Sequence, residues 1–293
     1  MYRRDQWKLV VPFIVPSLII YGVLVIYPYI QAFYLSLTFW RGVSKNIEFI
    51  GLSNFQKLVN DPVFWLSMRN NLTFLVLGGL GTLVVALLIA AVLTSNVRGR
   101  EVYRVVYFFP YAMSVVAVAV LWMFIYNPQF GILKNFMKAI GLGALTRPWL
   151  GDSETALYAV ILTFIWASVG FYMVLFMAGI QNIPVDLQDA ARVDGASRLQ
   201  GFVNVTMPLL WEVVKTATVF AIIGGLNQFA LTQIMTMGGP SHSSEVVGTY
   251  LYAKAFNENN FGYGASMAVS LFILTLAITL LSQRFMRREV IEY

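Results

Sequence analysis

Six stretches of this chain, residues 9–40, 70–97, 105–133, 155–185, 216–244 and 259–283, contain no Asp, Glu, Lys or Arg. Each exceeds the roughly 20 residues an α-helix needs to cross about 30 Å of hydrocarbon. A surface helix of a soluble domain would interrupt such a run with a polar face every three or four residues, and none of the six does so. Strands of a membrane barrel would alternate polar and apolar residues over about ten positions, a pattern also absent. Charged residues make up 12% of the 293, about half the usual share of a soluble domain. The chain therefore reads as an all-α integral membrane protein with six transmembrane helices. They are placed near 10–37, 71–95, 105–126, 156–180, 213–237 and 263–284, in a single membrane domain over 1–293.

There is no cysteine, so neither a disulfide framework nor a thiolate metal site is available. The first apolar run follows Arg3, Arg4 and Lys8. It is too long for a signal peptide's apolar region and is punctuated by Pro12, Pro16 and Pro28, so it reads as a retained first span. Six crossings put both termini on one side. That side carries Arg3, Arg4, Lys8, Arg98, Arg100, Arg104, Arg192, Arg198, Lys215, Arg284, Arg287 and Arg288, packed into short segments at span ends. The other side carries Arg41, Lys45, Lys57, Arg69, Lys134, Lys138, Arg147 and Lys254 in longer loops. The positive-inside rule makes the first side cytoplasmic. The formal net charge of +6 follows from this retention and needs no nucleic acid partner.

The span centres hold no ionisable residue, whereas transporters driven by a proton or sodium gradient usually keep one there. A secondary transporter binding sodium through backbone carbonyls stays open as an alternative. No metal-ligand cluster, catalytic triad or phosphate-binding GxxxxGK[ST] loop is present. The single histidine, His242, falls in an outer loop after Gly238-Gly239-Pro240 and reads as an ordinary solvated residue. The chain reads as no enzyme, with no cofactor of its own, and uphill movement of a solute would draw its energy from another chain.

The most informative segment is the cytoplasmic loop 181–212. Pro184 suits the first position of a helix, Asp186 falls in its first turn, and Leu187, Ala190 and Ala191 form a small apolar stripe. Gly195 ends that helix by tolerating a left-handed turn. Ser197 and Gln200 have capping-box spacing for a second helix, and Pro208 marks its break before the fifth span. Two short helices at an angle can present an apolar surface of small residues to another protein, or lie as a hairpin on the membrane.

The pattern Asp189-Ala190-Ala191, three residues, Gly195, nine residues, Val205-x-Met207-Pro208 resembles the EAA loop of ABC importer permeases. The run Asp194-Gly195-Ala196-Ser197 is similar to their carbohydrate branch. Asp189 stands where the family has Glu, Val205 where it has Ile and Met207 where it has Leu. Phe49-x-Gly51-Leu52-x-Asn54-Phe55, Arg104-x5-Pro110, Thr236-Met237-Gly238-Gly239-Pro240-Ser241 and Phe261-Gly262-Tyr263-Gly264-Ala265 resemble further family features in the same order.

The resemblance implies the type I ABC importer permease fold in a bacterial or archaeal cell (inner) membrane. It implies a second homologous permease, an extracytoplasmic sugar-binding protein and two ATPase subunits that bind ATP and Mg. Asp189, Ala190, Ala191, Asp194, Gly195 and Pro208 would then form the ATPase-coupling element. For substrate, Gly224, Gly225, Asn227 and Gln228 of the fifth span and Trp166, Phe171 and Tyr172 of the fourth are the candidates. Amides supply both donor and acceptor to hydroxyls and aromatic rings stack on sugar faces. Asn227 and Gln228 as interhelical glue, and the rings as packing, remain alternatives. A glycerol phosphate or polyamine is the alternative cargo. The absence of cations in the spans argues mildly for a neutral sugar.

Overall fold

The computed structural model describes residues 2–43, 46–95 and 97–287, without the side chains of 2–10. Lys45 and Arg288, and the side chains of Arg3, Arg4 and Lys8, lie outside the described residues. The chain packs as two compact units, Met1–Asp61 with Leu251–Phe272 and Pro62–Tyr250 with Ile273–Tyr293.

Among the described residues, five helices are long and apolar enough to cross a membrane: α1 (Val11–Ser36), α2 (Pro62–Leu93), α6 (Ala156–Gln181), the stretch Trp211–Met235, and α11 (Phe261–Phe285). A sixth crossing is made if α3 (Arg100–Ala112) and α4 (Val115–Ile125), bent by 100° where they meet, count as one. Between these lie the short helices α5 (Ile132–Ala139), α7 (Val185–Val193) and α8 (Arg198–Gly201).

Where the helices differ from the sequence reading, the backbone gives the reason. Helix α2 starts at Pro62 rather than near 71, because it carries Arg69 on an exposed face and so extends beyond its charge-free part. The stretch expected to cross as one span near 105–126 breaks after Ala112. Met113 is extended, and the extended Ser114 starts α4 by accepting the Ala117 N–H at 3.2 Å. That is an N-cap inside an apolar run.

Proline positions explain two π-helical turns. Pro28 and Pro208 each follow a widened turn, Gly22–Ile26 and Phe202–Thr206, in which the residue before the proline donates its N–H five residues back, Tyr27 to Gly22 and Met207 to Phe202. A proline ring clashes with the carbonyl four residues earlier, and a π turn moves that carbonyl aside without ending the helix.

In the unit that begins at Pro62, glycines let helix backbones touch, the usual role of small residues between spans. A Cβ on Gly170 of α6 would lie 2.0 Å from the Tyr107 carbonyl of α3. One on Gly79 of α2 would lie 2.8 Å from the Ala221 carbonyl. Around these contacts one core gathers Ala86, Ala90, Met173, Phe176, Leu210 and Ala217, and another gathers Phe74, Val118, Val160, Phe164 and Leu231.

The other unit holds α1 and a small hairpin, β1 (Thr38–Phe39) and β2 (Glu48–Phe49), paired Thr38 to Phe49 and Phe39 to Glu48. Buried Asn54 donates from Nδ2 to the carbonyls of Ser36 and Thr38, both at 2.9 Å. A Cβ on Gly262 would meet the Thr38 carbonyl at 2.0 Å. The Asn54 and Gly262 motifs are therefore a structural clasp.

Candidate functional site

The loop between α6 and the fifth span folds as two capped helices. Pro184 sits at the N-cap of α7, with Val185 as the first helical residue, one place earlier than its sequence assignment. Asp186 lies in the first turn. The far end closes with the two hydrogen bonds of a Schellman cap, Gly195 N–H to the Arg192 carbonyl (3.0 Å) and Ala196 N–H to the Ala191 carbonyl (2.9 Å). Gly195 itself is left-handed, φ +82°. Ser197 and Gln200 form the reciprocal capping box at the start of α8.

Pro208 does not end the second helix. The π turn at Phe202–Thr206 carries the helix through it to Leu209, and only a single turn residue, Leu210, precedes Trp211. The second helix of the loop thus runs almost without interruption into the fifth span.

The loop exposes apolar side chains among its charges: Val193 is 87% exposed, Leu199 72% and Val185 65%. Ala190 is exposed and Ala191 half-buried. Asp189 accepts a hydrogen bond from Arg192 Nη1 at 2.9 Å, with both side chains solvated. Such a pair is worth about 0–1 kcal/mol, so Asp189 is readily released to another cation.

The fifth span is two helices, α9 (Trp211–Leu226) and α10 (Ala230–Met235), separated by Asn227, Gln228 and Phe229. Breaking a helix in an apolar medium orphans its last carbonyls; side-chain amides reach three carbonyls of the last turn, that of Ile223 in addition to the Asn227 N–H it accepts at 3.1 Å. Asn227 Nδ2 donates to the Ile223 carbonyl (2.9 Å), Gln228 Nε2 to that of Gly224 (2.6 Å) and the buried Asn71 Nδ2 to that of Leu226 (2.5 Å). Asn227 and Gln228 therefore bond their own helix rather than a neighbouring one. Asn227 is exposed and Gln228 half-buried.

The other sequence candidates fall into distinct places. A Cβ on Gly224 would find only Phe164 Cζ and Tyr172 Oη, both at 3.9 Å, so there is room beside Tyr172. Gly225 leaves no such room, since Leu75 packs on it, with its Cα 3.0 Å from an added Cβ. Phe171 stacks on Tyr111 at 4.8 Å and also contacts Tyr172 (5.1 Å) and Phe220 (6.0 Å). Trp166 meets Trp122 edge-on at 5.5 Å. Tyr111, Phe220 and Trp122 were not singled out from sequence. Phe220, Ile223, Gly224 and Asn227 do share one helical face at i, i+3, i+4 and i+7 spacing, which is the signal that would have found Phe220.

The loop after α10 is tied to the break. Asn71 Oδ1 accepts the Val247 N–H at 2.7 Å, so one side chain holds both α9 and this loop. Asn70 Nδ2 donates to the carbonyls of Ser243 and Glu245. His242 is not merely solvated, since its Nδ1 lies 2.7 Å from Oε2 of the buried Glu245. Thr249 Oγ1 donates to the other oxygen of that carboxylate. A side chain at the left-handed Gly238 would strike the same carboxylate.

A sequence profile of the binding-protein-dependent transport system inner membrane component matches residues 82–290. The diacetylchitobiose uptake system permease protein of Streptomyces coelicolor is 33% identical, covering 94% of this chain and 82% of its own. The sn-glycerol-3-phosphate transport system permease protein of Pectobacterium atrosepticum is 29% identical over 98% of this chain and 96% of its own. A chain of the bacterial alginate ABC transporter, crystallised with an alginate pentasaccharide-bound periplasmic protein, matches in structure with a TM-score of 0.85. It covers 98% of this chain and 96% of its own at 21% identity.

The chain belongs to the binding-protein-dependent transport system inner membrane component family, and its fold is that of ABC importer permeases. Helix α7 carries that family's EAA-type motif.

Proposed function

We propose that this chain is the non-catalytic permease subunit of an ATP-driven importer that moves a sugar or oligosaccharide delivered by an extracytoplasmic binding protein. One observation carries the reading: α7 and α8 form a capped, solvent-exposed pair with an apolar surface, joined almost directly to a fifth span that is broken at Asn227–Phe229. The termini and this loop face the cytoplasm. A second, homologous permease completes the pathway, and two ATPase subunits bind ATP and Mg.

Mechanically, α7 seats in an ATPase subunit with Asp189 facing one of its cations. Closure of the ATPase pair shifts α7, and the stiff connection from α8 through Leu209 passes the movement to α9 as a rigid-body tilt. The break then reorients the outer part of the span relative to the inner. Gln228, the space beside Gly224 and the Tyr172 hydroxyl offer a sugar hydrogen-bonding groups and room, and Phe171 with Tyr111 offers an aromatic wall. Saccharide cargo is supported by the diacetylchitobiose relative and by the amides and rings at the break, which lies within the charge-free run 216–244. A glycerol phosphate, the cargo named for the other relative, would need a cation there.

The test is uptake of radiolabelled saccharides into proteoliposomes. The complete complex with its binding protein is expected to accumulate cargo only with ATP and Mg on the ATPase side, and this chain alone to hydrolyse no ATP and transport nothing. Uptake by the chain alone would overturn the reading.

A further inference from the structure

We infer that α5 (Ile132–Ala139), in the loop between the third and fourth spans, lies in the headgroup region of the membrane face opposite the Asp189 loop, with one side sunk among the acyl chains. The inference rests on the membrane reading of the chain but on neither its cargo nor its ATPase.

The helix has three distinct sides. Ile132, Phe136 and Ile140 recur at i, i+4 and i+8, so they share a face. They are 70%, 59% and 52% exposed. Leu133 is turned inward, packed against the core that contains Tyr126 and Leu157. Lys134, Asn135 and Lys138 occupy the remaining arc. An inward contact fixes the helix on the protein, and the exposed apolar face and the cationic face then point in different directions. Helices that lie in a membrane interface combine an apolar face with a lysine-bearing polar one.

Two observations name lipid as the occupant. The exposed apolar surface of α5 continues that of α4, where Val116 is 53% and Phe124 58% exposed. Phe130, 58% exposed and two residues before Ile132 in sequence, sets its ring 6.2 Å from that of Phe124. The turn between them is tight and built. Asn127 Oδ1 accepts the Gln129 N–H at 2.8 Å, and a Cβ on Gly131 would strike the carbonyls of Ile125 and Asn127. A helix fixed this directly at the end of a spanning segment sits at the level where hydrocarbon gives way to headgroups. The second observation is charge. The polar arc carries Lys134 and Lys138 and no carboxylate, matching lipid phosphates. Lys134 Nζ also donates to the Pro128 carbonyl at 2.5 Å, and that bond folds its stem back toward the turn.

The chain contains no cysteine, so single substitutions can be labelled without background. Phe136→Cys, Asn135→Cys and Lys138→Cys, each carrying a nitroxide, are placed in vesicles of phosphatidylethanolamine and phosphatidylglycerol. Collision with oxygen, which concentrates in lipid, is compared with collision with a water-soluble nickel chelate. The label at 136 is expected to show several-fold more oxygen than nickel contact, and the labels at 135 and 138 the reverse. Equal nickel access at all three positions would overturn the inference in favour of a solvated loop. Screening of position 136 from both reagents would overturn it in favour of a protein partner. As a check free of the label, Phe136→Trp is expected to be quenched at least twofold by lipid brominated on its acyl chains. An unquenched tryptophan counts against burial in lipid.

Discussion

Replacing Gly195 by valine is expected to remove most transport by the assembled importer while leaving the chain inserted at its normal level. Gly195 has φ +82° and an added Cβ would meet nothing within 4 Å, so the objection to a side chain is conformational and not steric crowding. A left-handed backbone costs an L-residue roughly 1–2 kcal/mol, and a β-branched one is a rarer occupant still. About 2 kcal/mol against the native turn lowers the ratio of correctly capped to uncapped loops roughly thirtyfold. The Schellman bonds to Arg192 and Ala191 would be lost in the remainder, and α8 would leave α7 at another angle. Uptake should fall at least tenfold, with ATP hydrolysis no longer proportional to transport. Asn, which tolerates the left-handed region, should restore a substantial part. Normal uptake by the valine variant would show that the turn is not part of coupling.

The second large effect is expected at Asn71. It is fully buried and bonds the Leu226 carbonyl at the end of α9 and the Val247 N–H that follows the loop after α10. Asn71→Leu leaves one acceptor and one donor unpaired away from water, each costing about 1–3 kcal/mol. The melting temperature of the purified protein in detergent should fall by about 5–15 °C. Asn227→Leu is the contrast: it also loses a carbonyl bond, but at an exposed position, and should shift the midpoint by only about 1 °C. Equal shifts for the two would contradict the assignment of Asn71 as the tie between the broken span and the loop.

The sequence made the helical membrane class legible because charge is costly in hydrocarbon, and its absence over six long stretches leaves a mark no other architecture produces. The caps of the loop were legible for a related reason: Gly195, Ser197 and Gln200 act through local backbone geometry, which a few neighbouring residues determine. The breaks were not legible. Ser114 starts a helix and Asn227 ends one inside largely apolar runs, where no change of periodicity signals a bend. The break at Asn227 is held from afar, Asn71 and Leu226 being 155 positions apart.

The glycines divide on the same line. Gly224 and Gly225 are equivalent in sequence, yet one borders open room and the other takes Leu75, because only packing decides which face of α9 meets α2. Pro208, expected to break its helix, is absorbed by a π turn, a widening that depends on the whole helix continuing. His242 gained a partner only because the turn at Gly238 folds Glu245 inward.

The most direct test of the central claim concerns what the exposed helix touches. Ala190→Cys provides the chain's single thiol and, carrying a photoreactive group, is illuminated in the assembled complex in membranes. An adduct with the ATPase subunit is expected, its yield changing with bound ATP, and none with that subunit from the same group at Phe136→Cys. Labelling of lipid from position 190, with no ATPase adduct in any nucleotide state, would contradict that claim.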